Sequence, residues 1–381
     1  MLRSFDLHRY LVVAFSLCAL LSVANADDPV TLTEKFSPDH LSKVEVAVRL
    51  SGRLALPAQK GKSPEVVTLV GASRLRYEER ILSLEKGKIA TVRAYRDVEF
   101  KRTVAGNTQD AGIRPSVRRM VVIKNEGRRA PFSPDGPLTW GEIDVVRTDV
   151  FNPAAIPGLL PNGAVKKGDT WKASESAVGE LTDLEKIDEG GITVELVGMI
   201  AIDGKRVARL KLSGTVRGVN QDGPSRQKLD GTGYFDLDAG VFTYLSLKGT
   251  HDLLDGKGET VGRIEGQFTM TRSRLEQAPA DLSDASLRGL ELKPTLENTL
   301  LLYDDDQLGV HFLYPRGWRV GAVQGKQVTL DHARGAGILL TVEPAARVPA
   351  AEDYAKEVAA FLKKQEAEIT ATEKPTRVRE L

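Results

Sequence analysis

The sequence predicts a mainly β protein: a long-stranded antiparallel curved sheet, either a half-barrel or a sandwich in two halves, plus a small C-terminal α+β module. Three observations predict it. Segments that alternate apolar and polar residues recur along most of the chain. Short Asp/Gly/Lys turns separate them. After Leu300 the texture changes, with shorter apolar runs followed by one stretch of helical spacing.

The stretch Leu229–Leu254 sets the pattern. Tyr234, Phe235 and Leu237 lead into Asp238-Ala239-Gly240, and Val241 to Leu247 lead out. Gly240 can take the positive φ of a tight turn, and Asp238 can hydrogen-bond its own turn. Around it, Ile192–Ile202, Arg206–Val219, Ser225–Leu237, Val241–Leu254 and Thr260–Arg272 read as a five-strand meander. Strands of roughly 11–14 residues exceed the usual 5–6 and demand a twisted, curved sheet. A membrane barrel is not expected, because the strands are few and charged residues recur on both faces.

The preceding half reads similarly. In Val44–Leu56, Val44, Val46, Val48 and Leu50 share one face. Pro57–Pro64 is a turn, Val66–Leu84 holds one or two strands, and Lys86-Gly87-Lys88 turns into the strand Ile89–Val104. Ala105–Pro115 reads as a polar loop and Val117–Asn125 as a strand. Pro131–Leu160 changes texture, rich in proline and with a short ordered piece at Trp140, Ile143, Val145 and Val146, and Pro157-Gly158-Leu159-Leu160-Pro161 is a connector that should pack on something apolar. The domain layout is then residues 30–275 as the β domain, in halves of about 30–150 and 160–275. Residues 276–299 read as a linker with a short helix, and residues 300–381 as the C-terminal module. Ala350–Ile369 is its helix, with Tyr354, Val358, Phe361, Leu362 and Ile369 near one face. Glu373 to Leu381 reads as the start of a strand.

Composition limits function. Hydrophobic residues are 41% and charged residues 28% of the 381, as in a globular chain. Lys and Arg number 53 against 52 Asp and Glu, so no overall field attracts nucleic acid. The cluster Arg114, Arg118, Arg119, Lys124, Arg128 and Arg129 is interleaved with apolar residues and reads as a strand with solvated charges.

Residues 1–26 read as a signal peptide. Arg3 and Arg9 form a basic start, Tyr10–Val23 is apolar but too short to span a bilayer, and Ala24-Asn25-Ala26 is a cleavage pattern. The expectation is export to a bacterial periplasm or beyond, with no integral membrane segment after cleavage. Cys18, the single cysteine, falls inside this leader and lacks the small residue expected before a lipidated cysteine. The chain after it has no means of disulfide bonding or thiol catalysis.

Two stretches resemble known families. Tyr303-Asp304, Gly309-Val310-His311-Phe312, Tyr314-Pro315 and Gly317-Trp318-Arg319-Val320 are similar to the opening of the PsbP/Mog1-like α/β/α sandwich. Strands at Val328–Leu330 and Ile338–Val342 and the helix from Glu352 continue the match, which stops where that fold's second half begins. The resemblance implies a mostly non-enzymatic accessory, assembly or binding module. Leu159-Leu160-Pro161, Val165 and Gly168-Asp169-Thr170-Trp171, with Gly231, Gly233, Phe235-Asp236 and Gly240, resemble bacterial secreted domains of unknown function. More loosely, the meander resembles the curved half-barrel lipoprotein carriers of the LolA/LppX kind, which implies an apolar ligand.

The motifs of catalysis and metal binding are not met. His40, His251, His311 and His332 have no ligand spacing. Asp236-Leu237-Asp238-Ala239-Gly240 lacks the third acidic step and closing glutamate of a calcium loop, and Asp304-Asp305-Asp306 reads as an acidic turn. Gly61-Lys62-Ser63 has Leu56 where a phosphate loop needs glycine. His251 and Asp252 are adjacent and point to opposite strand faces. No catalytic residue, metal ligand or cofactor is assigned. Trp140, Trp171 and Trp318 read as loop anchors, with a ligand platform as the sharper alternative.

The expected function is an exported, non-catalytic binding or accessory protein that holds a lipid-like ligand on the curved sheet. Trp171, Leu196, Leu210, Leu212, Tyr234 and Phe268 are the candidate ligand-binding residues. One alternative is a protein–protein adaptor or assembly factor acting through the C-terminal module. The other is a secreted hydrolase, which no motif supports.

Overall fold

The computed structural model describes residues 28–55, 65–85, 88–125, 128–150, 152–220, 223–332, 334–343 and 345–364. The leader with Cys18, the turn at Pro57–Pro64 and the strand expected from Glu373 lie outside the described residues.

The first half supplies β1 (Leu41–Ala55), β2 (Val66–Glu85), β3 (Lys88–Val104), β4 (Asn107–Ala111) and β5 (Arg119–Asn125). The second supplies β6 (Thr170–Lys172), β7 (Lys186–Ile202), β8 (Lys205–Asn220), β9 (Gly223–Asp236), β10 (Val241–Leu254) and β11 (Thr260–Arg274). The two halves are one twelve-stranded sheet and not two sheets face to face. Its order is β6-β7-β8-β9-β10-β11-β1-β2-β3-β5, ending on Arg128–Arg129, with β4 on the flank of β3. The path is open, so no barrel closes. The halves join where Phe268 of β11 lies opposite Val48 of β1.

Alternation decides which face is buried. Val44 and Val46 of β1 are buried, and so are Leu210 and Leu212 of β8, while the residues between them are half-buried or exposed. Strands of 14–17 residues in β7–β11 accumulate enough twist to curl the sheet. Glycine makes the curl tighter. A Cβ on Gly214 would sit 2.1 Å from the Gly191 carbonyl oxygen, and one on Gly249 would sit 2.3 Å from that of Lys228. No other residue permits strands to approach so closely.

A helical layer covers part of the sheet's inner face: α1 (Trp140–Val146), a 3-10 turn at Pro153–Leu159, and α2 (Glu175–Thr182). Thr139 and Glu142 form a reciprocal capping box on α1. Glu142 also takes the Arg114 guanidinium at 2.9 Å. Ser174 caps α2, which ends on Asp183 in the left-handed region at φ 54°. Ile143, Val146, Ile156, Leu159 and Val178 of this layer share one core with Val44, Leu75, Leu196 and Leu210 of the sheet.

Several local readings need correction. The Ala105–Pro115 loop contains β4, because Asn107–Ala111 doubles back along β3. The strand read at Val117–Asn125 opens with a 3-10 turn at Pro115–Val117. Helix α2 is absent from the reading; its eight residues, interrupted by Gly179, give too short a periodicity. The segment read as a linker is seated on the opposite face of β3 from the helical layer. There Leu282 and Leu287 are buried with Val92 and Ala94, and Asp281 pairs with Arg96 at 2.6 Å. At the hairpin tip, Asp236, not Asp238, accepts from the turn amides of Asp238 and Ala239. Asp238 instead pairs with Arg206 at 2.6 Å. Gly240 does adopt the expected positive φ, at 65°.

The C-terminal part opens with β12 (Leu301–Asp305) and β13 (Val310–Tyr314). Leu301 and Leu302 of β12 pair in parallel with Leu138 and Thr139, tying this hairpin to the residues before α1. Arg319 lies 4.3 Å above the Trp140 ring, and Leu301, Tyr314 and Leu330 join the main core. A second small sheet follows: β14 (Trp318–Gln324), β15 (Gln327–His332) and β16 (Gly337–Thr341). Helix α3 (Ala351–Lys364) ends the described chain. No helix among the described residues is long and apolar enough to cross a membrane.

Candidate functional site

The core does not fill the whole concave face. A cleft of about 320 Å³ remains between the middle of the sheet and the helical layer. Register explains it. One cross-strand row runs Leu229, Gly249, Gly266, Leu50, Gly71 across β9, β10, β11, β1 and β2. Three of the five lack a side chain; Gly249 and Gly266 line the cleft and Gly71 the adjoining hollow, and the open space lies over Gly266. Val48, Leu50, Leu229, Leu247, Ile264 and Phe268 form the apolar part of the lining. A Cβ on Gly266 would meet nothing nearer than the Arg49 carbonyl oxygen at 3.8 Å, the mark of open space above it. A smaller hollow of about 240 Å³ adjoins, sharing Val48, Leu50, Arg147 and Asp183.

The helical side of the cleft carries charged residues beside Val150 and Leu181. Arg129 reaches in from the end of the sheet and pairs with Asp183 at 2.8 Å and with Glu180 at 3.6 Å. It also donates to the Arg147 carbonyl at 2.9 Å. Arg147 approaches Asp183 at 3.9 Å. Gln227 on the sheet donates to the Thr182 carbonyl at 2.7 Å. These contacts hold the end of α2 and the segment after α1 against the sheet.

Behind the cleft lies a buried ionic cluster. Arg93 donates to Glu79 at 2.7 Å, to Asp149 at 2.9 Å and to the Val150 carbonyl at 2.6 Å. The Tyr77 hydroxyl donates to Asp149 at 2.5 Å. Burial pushes the Asp149 carboxyl up from its ordinary value, opposed by the Arg93 guanidinium and the Tyr77 hydrogen bond. Burial likewise raises the Tyr77 hydroxyl. Asp149 and Val150 form part of the cleft wall, so the cluster fixes that wall in place.

Of the six residues predicted from sequence, the structure puts Phe268 in the cleft lining. Leu196, Leu210 and Leu212 are buried beneath the helical layer and do not line it. Trp171 is half-buried and donates its indole N–H to the Leu159 carbonyl at 2.9 Å, which anchors the 3-10 turn. Tyr234 stacks on Tyr244 at 5.1 Å on the face away from the core. The sequence reading missed Arg129, whose cluster was read as solvated, and the three glycines. Glycines within otherwise apolar strand faces were the available signal. Among the described residues, no three His, Cys, Asp or Glu side chains converge as metal ligands.

No family model and no curated protein matches the chain. Among solved structures, a lipovitellin described for its lipid–protein interactions is similar at 12% identity and TM-score 0.34, covering 66% of this chain and 27% of its own. The MucA/MucB complex of Pseudomonas aeruginosa is similar at 12% identity and TM-score 0.18, covering 76% and 63%. DynF of the dynemicin biosynthesis pathway of Micromonospora chersina is similar at 11% identity and TM-score 0.15, covering 65% and 86%. The chain thus spans about a quarter of the lipovitellin chain and under two thirds of the MucA/MucB one. TM-scores this low fall short of a shared fold.

Proposed function

We propose that this chain is an exported, non-catalytic binding protein that holds one lipid-like molecule in the cleft of its curved sheet. The observation that carries the reading is the cleft's division into two sides. The sheet side offers Leu50, Leu229, Ile264 and Phe268 together with Gln227 and His251, and the helical side brings Arg129, Arg147, Glu180 and Asp183 beside Val150 and Leu181. A lining of this kind suits a molecule with an apolar body and a polar end. The size, about 320 Å³ with a further hollow alongside, falls at the lower end of ligand pockets. The leader-like residues 1–26 support export.

The test is mass spectrometry of an organic extract from the protein purified without detergent. The reading predicts a lipid-like species at close to one per chain. A protein that carries none, and that also takes up no fluorescent fatty-acid probe, contradicts it.

A further inference from the structure

We propose that helix α3 is a self-association surface, pairing antiparallel with α3 of a second copy of this chain. The proposal stands independently of what the cleft binds. Helix α3 has 14 residues, none of them buried. An amphipathic helix draws most of its stability from covering its apolar face. Tyr354, Val358, Phe361 and Leu362 fall at i, i+4, i+7 and i+8 and form one stripe. Tyr354 is 51% and Phe361 60% exposed. None of the four joins the buried cores of the described residues.

The sequence of α3 is complementary to its own reverse. Glu352 and Asp353 lie in the first turn, and Lys363 and Lys364 in the last. An antiparallel register centred on Val358 sets Tyr354 beside the partner's Leu362. It also runs the acidic first turn of one helix along the basic last turn of the other. Antiparallel macrodipoles add to the attraction, whereas a parallel pair would stack like charges. Ala351 and Ala355 fall inside the stripe and let the axes approach. A helix of about 21 Å covers less than a standard interface, so the dimer is weak, with a Kd on the order of micromolar.

Sedimentation velocity on the full chain tests this. The expected result is a mass that rises from that of one chain toward twice that value with concentration. Phe361→Glu, which keeps a good helix former, is expected to weaken association at least about tenfold. Two charge variants test the orientation. One carries Lys363→Glu and Lys364→Glu, and the other Glu352→Lys and Asp353→Lys. Each is expected to self-associate less than the native chain, and an equal mixture to recover dimers. Circular dichroism checks that each remains folded. A monomer at every concentration, as an α3 folded back onto its own chain would give, overturns the proposal. So does a dimer indifferent to Phe361→Glu, or a mixture that fails to recover.

Discussion

Arg93 and Asp149 meet at 2.9 Å inside the protein, with side chains 1% and 0% exposed. One comes from the sheet and the other from the segment after α1, so the contact joins the two layers that bound the cleft. Glu79 and Tyr77 complete the cluster from the sheet side. Removing Arg93 leaves two carboxylates buried without their cation. Arg93→Ala is therefore expected to cost about 3–5 kcal/mol of unfolding free energy. Urea unfolding of the variant checks this. Arg206→Ala, which breaks the exposed pair with Asp238, is expected to leave the urea midpoint almost unchanged.

The two facing glycines of the cleft floor are predicted to behave differently. A Cβ at Gly249 collides with the Lys228 carbonyl, whereas one at Gly266 meets open space. Gly249→Ala is expected to lose about 2 kcal/mol or more, since backbone must move. Gly266→Ala is expected to be neutral or stabilising by up to about 1 kcal/mol through the unfolded state. Thermal unfolding of the pair compares them directly.

Acid is predicted to act through Asp252, which sits between Arg263 at 2.6 Å and Arg226 at 2.9 Å. The Arg263 hydrogen bond, aided by Arg226, holds its carboxyl below the ordinary value. A depressed folded-state pKa means that the unfolded chain takes the proton first. The associated stability is present above the unfolded value of about 3.9 and is lost as pH falls through the folded one. The advantage of the native chain over Asp252→Asn should thus shrink below about pH 4. Urea midpoints at neutral and acid pH measure it.

Trp171 is predicted to be an anchor. Trp171→Phe keeps the ring contact but loses the indole donor to Leu159. It is expected to cost about 1 kcal/mol of stability and to leave fatty-acid probe affinity unchanged. Chemical denaturation and probe titration on the same variant separate the two roles.

Much of the sheet was legible because period-2 alternation and Gly turns are local signals. Val44 and Val46 on one face, and Gly240 at a reversal, can be read without knowing their neighbours. The cleft was not legible in the same way. Its floor holds Gly249 directly opposite Gly266, and register is a property of pairing between distant segments. Leu196, Leu210 and Leu212 read as ligand-binding because the layer that covers them includes α2, too short to show a helical period. Arg129 read as solvated for the same reason, since Glu180 and Asp183 belong to that helix and its end.

The most direct test of the cleft as a binding site is titration of a fluorescent fatty-acid probe into the native chain and Gly266→Leu. The leucine side chain would occupy the open space above Gly266, in the cleft that Leu50, Leu247 and Phe268 also line. Binding to the native chain, with affinity at least about tenfold weaker in a Gly266→Leu variant of unchanged melting temperature, is the predicted result. Equal affinity in the two proteins, or no binding to either, would contradict a ligand site in the cleft.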